Sequence, residues 1–190
     1  MKLKKLKLRF VSKINYQLRR NSISVGIGEY AVARSPSSLA TWALGSCVGI
    51  ILYDPIRKLG SLSHCMLPEP RSPNNMNDCK YVSVAVTDMI SALMKYGSSP
   101  FSLRAAVIGG ANIFGFNKTF DVGKRNVQKA IETLRAKGIQ IDVMDTGGNR
   151  GRNVVFLIST GEIFVSYTSK SALWGDLGAN KSFRRRTPRY

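Results

Sequence analysis

The stretch "ALGSCVGIILYDPIRKLGSLSHCML", Ala43 to Leu67, holds two apolar runs joined at Asp54-Pro55. The runs Cys47–Tyr53 and Lys58–Leu67 are rich in Val, Ile and Leu, which favour strands, and Asp-Pro is turn chemistry: Pro presets φ at the second turn position and Asp suits the first. The segment therefore reads as a β-hairpin with the four-residue loop Asp54–Arg57. In that register Tyr53 faces Lys58, and counting outward brings Cys47 opposite His64 on one face, with Cβ atoms about 4.5–5.5 Å apart. An even slip of register keeps both on that face, and an odd slip separates them.

His64 is the single histidine of the chain. Strand alternation sends Cys65 to the opposite face, where it reads as a core thiol, and no histidine is left for Cys79. Cys47 alone has a base within reach. A neutral imidazole can take the thiol proton, and the resulting imidazolium stabilises the thiolate. Gly45 and Ser46 form a tight turn ahead of Cys47 that can aim backbone N–H groups at a developing oxyanion. A cysteine beside a histidine is also an ordinary core contact, and spacing alone leaves both readings open.

Outward from the hairpin, "ISVGIGEYAVA" (Ile23–Ala33) reads as a strand broken by glycines, and Leu39–Leu44 as another extended run. A Pro/Asn loop, "PEPRSPNNMND", leads into a helix over 79–96, with Val82, Val86, Met89, Ile90, Leu93 and Met94 on one face and Gly97 as its stop. "LRAAVIGGANIFGF" is a strand running into a glycine turn. A second helix over 124–137 turns Val127, Ile131 and Leu134 inward and ends at Gly138. Strands follow over 139–144, 153–159 and 162–167, the last two joined by a tight turn at Thr160-Gly161. Strands predominate and two main helices interrupt them. The expected class is α+β, a layered α/β sandwich with mostly antiparallel strands.

At 190 residues and 44% hydrophobic content, one folded domain with a real core is expected. Eight Lys/Arg and no acid fall in residues 1–20, and five more and no acid in 181–190, so thirteen of the 29 basic side chains lie near the ends. The division is a basic N-terminal extension (1–20), a central domain (21–170) and a basic C-terminal tail (171–190). Such tails draw a protein towards anionic surfaces, including an anionic membrane. No nucleic-acid motif or aromatic-interleaved basic patch accompanies the charge, so specific nucleic-acid binding is not expected. No apolar h-region follows the basic start and no run has the length of a membrane span, so the expected location is the cytoplasm. Three cysteines without CxxC spacing speak against a disulfide framework or a zinc site. The glycine blocks "GGAN" and "GGNRGR" lack the Lys-Ser/Thr of a P-loop and read as tight turns.

The ordered blocks resemble those of the chemoreceptor glutamine deamidases, the CheD family of bacterial chemotaxis. The blocks are Thr41, Leu44-Gly45-Ser46-Cys47-Val48, Tyr53-Asp54-Pro55, Leu62-x-His64-x-Met66-Leu67-Pro68, "GGAN" at 109–112, "VGKRN" at 122–126 and "DTGGNRGRNVVF" at 145–156. The resemblance spans Ile23 to Val165. Trp42, Ala43, Ser61 and Ser63 depart from the common pattern, and none of them is a site position.

The resemblance implies a Cys–His–Thr triad on Cys47, His64 and Thr41, and a sandwich similar to that of bacterial toxin cysteine deamidases. It further implies hydrolysis of glutamine side-chain amides on the helical cytoplasmic bundle of a chemoreceptor, with no metal or cofactor. Gly45 and Ser46 would shape the oxyanion site, and Gly110 and Asn112 would touch substrate. A CheC-type phosphatase is the implied partner, and a non-enzymatic role as its binding partner is the competing reading.

Overall fold

The computed structural model of the chain describes residues 5–70, 78–112 and 121–168. Its strands form two sheets of five. One has the order β3 (Tyr30–Arg34), β6 (Leu59–Cys65), β5 (Val48–Asp54), β7 (Arg104–Gly109), β8 (Gln140–Thr146). The other has the order β1 (Lys7–Phe10), β10 (Glu162–Tyr167), β9 (Arg152–Leu157), β4 (Ser38–Leu44), β2 (Ile23–Ser24). Five of the eight strand pairings are antiparallel, as the hairpin-rich sequence leads one to expect.

The layers follow from strand alternation. On β5, Val48, Ile50 and Leu52 pack with Val82, Val86, Met89 and Leu93 of α2 (Val82–Lys95) and Leu134 of α3 (Val122–Ala136). Met94, expected on the same face, lies at its edge and is half-exposed near the helix end. The alternate residues Ile51 and Tyr53 join Leu62 of β6 and meet Leu39, Val154, Phe156 and Val165 of the second sheet. A smaller cluster on the outer face of that sheet, around Ala40 and Val155, is covered by Ile14 and by Leu18 of α1 (Tyr16–Asn21). Every residue of β5 and β6 is buried, so the hairpin is the central element of the domain.

The hairpin register differs from the sequence expectation by two residues. Val48 pairs with Cys65, Gly49 with His64 and Asp54 with Leu59. Asp54 is the cause. Its Oδ1 accepts the N–H of Ile56 (3.0 Å) and of Arg57 (3.1 Å), and its Oδ2 accepts the hydroxyls of Ser98 (2.8 Å) and Ser102 (2.9 Å). These bonds hold Asp54 as the last paired residue of β5 and move the loop to 55–58, where Lys58 takes a positive φ of 51°. Burial pushes the Asp54 carboxyl up, but the Ser98 hydroxyl, the Arg57 N–H and its other donors outweigh burial and hold it below its ordinary value. The slip is even, so Cys47 and His64 keep a common face.

The expected N-terminal extension supplies a strand. β1 pairs in parallel with β10, Leu6 is buried in the inter-sheet core, and the Leu6 N–H donates to Asp142 Oδ2 (3.0 Å), a carboxylate also gripped by Arg104. The alternation "KLKLRF" is that of a half-covered edge strand, which its basic charge masks. The C-terminal tail expected over 171–190 lies outside the described residues. No helix among the described residues is long and apolar enough to cross a membrane.

Candidate active site

Thr41 and His64 belong to different sheets and meet across the layer between them. Leu39 and Thr41 are the inward residues of β4, and Leu62 and His64 the inward residues of β6. Thr41 Oγ1 lies 2.8 Å from His64 Nδ1 and 2.9 Å from the carbonyl oxygen of Val25. A carbonyl can only accept, so the single hydroxyl proton goes to Val25, and Oγ1 then accepts from Nδ1–H. The imidazole is thereby held as the Nδ1-protonated tautomer, with Nε2 as its basic nitrogen. The contact is through the hydroxyl of Thr41, which the sequence left undecided between hydroxyl and carbonyl.

The broken strand around Gly26 and Gly28 completes this grip. The Val25 N–H bonds Ala40 O in the second sheet, while Gly28 N–H donates to His64 O (2.9 Å) and His64 N–H to Glu29 O (3.0 Å) in the first. The segment crosses from one sheet to the other and fixes both partners as it goes. Gly28 has φ +77°, a conformation that glycine adopts without penalty. No motif in the sequence pointed to Val25 O as a participant.

Cys47 stands in the bend 45–47, one residue before β5, and packs against the inter-sheet core on the same side as His64. Among the described residues no hydrogen bond joins its Sγ to His64. Diagonal neighbours in a continued ladder lie about 7–8 Å apart, within reach of side-chain movement. Both groups rest neutral. Burial pushes the Cys47 thiol up to about 11, opposed by its own backbone N–H, and burial lowers the His64 imidazole to about 4. Cys65 lies in the helix-facing core as expected, its thiol raised to about 12 first by burial. Cys79 lies beside Asp88 and is likewise raised to about 12, by burial and then by that carboxylate.

The glycine blocks build the bend. Gly110 N–H donates to Cys47 O (2.8 Å) and Ala111 N–H to Gly45 O (2.7 Å). Gly109 has φ +113°, and a Cβ there would collide with Cys47 O. Gly147 N–H reaches Gly109 O (2.9 Å) and Asn112 N–H reaches Gly148 O (2.8 Å), so the two glycine turns are laced together. Arg152, buried in β9, braces the second turn by bonding Asp145 and Gly147 O. Gly110 and Asn112 line a cleft of about 250 Å³ with Lys124 and Gly148, and Cys47 is not among its walls. The Cys47 N–H lies against its own thiol. Ser46 contributes its carbonyl to Asn126 Nδ2 (3.0 Å), an interaction with no counterpart in the sequence reading.

Comparison with known proteins places the chain among proteins of chemotactic sensory transduction: a family model for CheD, described as "CheD chemotactic sensory transduction", matches residues 66–167. That match begins just past His64. A Thermococcus kodakarensis protein named "Probable chemoreceptor glutamine deamidase CheD" is 42% identical over 144 residues, 74% of this chain and 89% of its own. The Thermotoga maritima "Chemoreceptor glutamine deamidase CheD" is 39% identical over 141 residues, 74% of this chain and 88% of its own. The chain belongs to the CheD family. Among solved structures, the Bacillus licheniformis hypothetical protein YfiH aligns with a TM-score of 0.42 at 15% identity, covering 73% of this chain and 62% of that one.

Proposed function

We propose that the protein is a chemoreceptor glutamine deamidase acting through Cys47, His64 and Thr41. The observation that carries this is the buried Thr41–His64 hydrogen bond, which leaves Nε2 basic on the face that Cys47 shares. The names of the relatives support the substrate class, glutamine side chains of chemoreceptors.

In the first half-reaction His64 Nε2 takes the Cys47 thiol proton as sulfur attacks the glutamine Cδ. The resting pair is neutral, so proton transfer accompanies attack instead of preceding it. The carbonyl oxygen becomes an oxyanion, held by the N–H groups of Ser46 and Cys47. As it collapses, the imidazolium gives its proton to the amide nitrogen and ammonia leaves, forming a thioester. Water then attacks the thioester while His64 takes its proton. The S–C bond breaks, the proton returns to sulfur, and glutamate remains on the receptor. Thr41 keeps the ring in the required tautomer throughout. Gly110 and Asn112, beside the bend, guide the substrate segment into place. An adaptor that only bound a CheC-type phosphatase would not need this buried polar pair.

Incubation of the full-length protein with a receptor cytoplasmic fragment, followed by ammonia assay and peptide mass spectrometry, tests the proposal. Glutamine-to-glutamate conversion at discrete sites is expected. Absence of conversion on every receptor fragment of the source organism would refute it.

A further inference from the structure

The β5–β6 ladder ends at Val48 and Cys65, one step short of Cys47. Beyond it a side chain from α3 takes over. Asn126 is fully buried, and its Nδ2 donates to Ser46 O (3.0 Å) and to Met66 O (2.9 Å). The two carbonyls stand just outside the paired ends of β5 and β6, one beside Cys47 and the other two residues past His64. Asn126 therefore clasps the strands where backbone pairing stops. Its orientation is fixed, because exchanging oxygen and nitrogen would set Oδ1 against two carbonyl oxygens. Asn126 Oδ1 has no hydrogen-bond partner among the described residues. An amide left half-satisfied in a core is a poor stabiliser, so its contribution is to geometry.

α3 reaches this position because Gly123, one turn earlier, has no side chain. A Cβ there would stand 2.7 Å from Gly110 O and 3.1 Å from Ala111 O. The helix thus lies directly on the segment that holds Cys47 O and Gly45 O. A trans peptide directs its C=O and the following N–H to opposite sides. With Ser46 O held by Asn126, the Cys47 N–H points away from Asn126 and lies against its own thiol.

We propose that Asn126 is a positioning residue for acyl transfer: by holding Ser46 O, it sets the direction of the Cys47 N–H that receives the oxyanion. This rests on the deamidase reading above.

The test compares full-length wild type with Asn126→Ala, Asn126→Gln and Gly123→Ala. Turnover is expressed per folded molecule, with the folded fraction of each variant taken from its urea melt. For Asn126→Ala, kcat is expected to fall about 100-fold, as on loss of an oxyanion donor, with KM and the Cys47 alkylation rate within about three-fold, since alkylation develops no oxyanion. Gly123→Ala, which lifts α3 with Asn126 intact, is expected to lower kcat in the same pattern, and Asn126→Gln to recover part of it. An unchanged kcat per folded molecule would overturn the proposal, as would kcat and the Cys47 alkylation rate falling together. If wild type itself converts no receptor fragment, the deamidase reading has failed, and a peptide aldehyde analogue of glutamine decides Asn126 separately. It adds reversibly to Cys47, with the thiol proton passing to the adduct oxygen. Binding weakened about 100-fold in Asn126→Ala upholds the positioning role, and equal binding overturns it.

Discussion

At the scale of single residues, the account turns on where two protons sit. The Thr41 hydroxyl gives its proton to Val25 O and accepts one from His64 Nδ1. Thr41→Ser keeps both bonds, whereas Thr41→Val keeps the shape and loses them. Turnover measured by ammonia release is expected to stay near wild type for the serine and to fall about 10- to 100-fold for the valine. The second proton is on Cys47. With its thiol near 11, the thiolate fraction at neutral pH is on the order of 1 in 10,000, so alkylation by iodoacetamide is expected to rise about tenfold per pH unit up to about pH 10. A plateau already reached at neutral pH would indicate a resting ion pair and contradict this. His64 also writes itself into stability. Its folded imidazole titrates near 4 and its unfolded one near 6.5, so between these values the unfolded chain binds the extra proton. Stability is therefore full above about pH 6.5 and falls by on the order of 3 kcal/mol as pH drops towards 4. With no other histidine in the chain, His64→Asn is expected to flatten urea-melt stability across that window.

At the scale of elements, the hairpin is set at one end and used at the other. Asp54 anchors the turn, and the site lies where the strands part beyond Val48. Asp54→Ala strips the acceptor from two backbone N–H groups and from the hydroxyls of Ser98 and Ser102. A loss of about 2–4 kcal/mol in urea melts is expected, with turnover per folded molecule preserved. The same residue explains what could be read in advance. Alternation placed Cys47 and His64 on one face and Cys65 on the other, and this survives any even slip. The loop itself could not be placed, because Ser98 and Ser102 hold Asp54 from 44 and 48 residues away in the chain, and a local turn rule does not contain them. The one-residue bulge in β4 was hidden for a similar reason. Ala43 takes φ +56° with its N–H on Asn153 Oδ1, although glycine is the usual signal for that conformation. Asn126 was visible only as part of a block, since its two acceptors lie 80 and 60 residues away.

At the scale of the whole molecule, residues 5–20 of the basic N-terminal segment belong to the fold. Removing residues 1–20 would strip β1 from β10, take Leu6 from the core and α1 from the outer face. Thermal unfolding of the truncated protein is expected at a clearly lower temperature, since a loss of several kcal/mol is a large share of the roughly 5–15 kcal/mol that stabilises a domain. An unchanged transition would show that β1 is dispensable. The central claim is that one cysteine, chosen by strand alternation and by a threonine-held histidine, does the chemistry. Ammonia release from a receptor cytoplasmic fragment by wild type, Cys47→Ala and Cys65→Ala, each with its fold checked by circular dichroism, tests it most directly. The account predicts no release from Cys47→Ala and near-normal release from Cys65→Ala, and wild-type release from Cys47→Ala would contradict it.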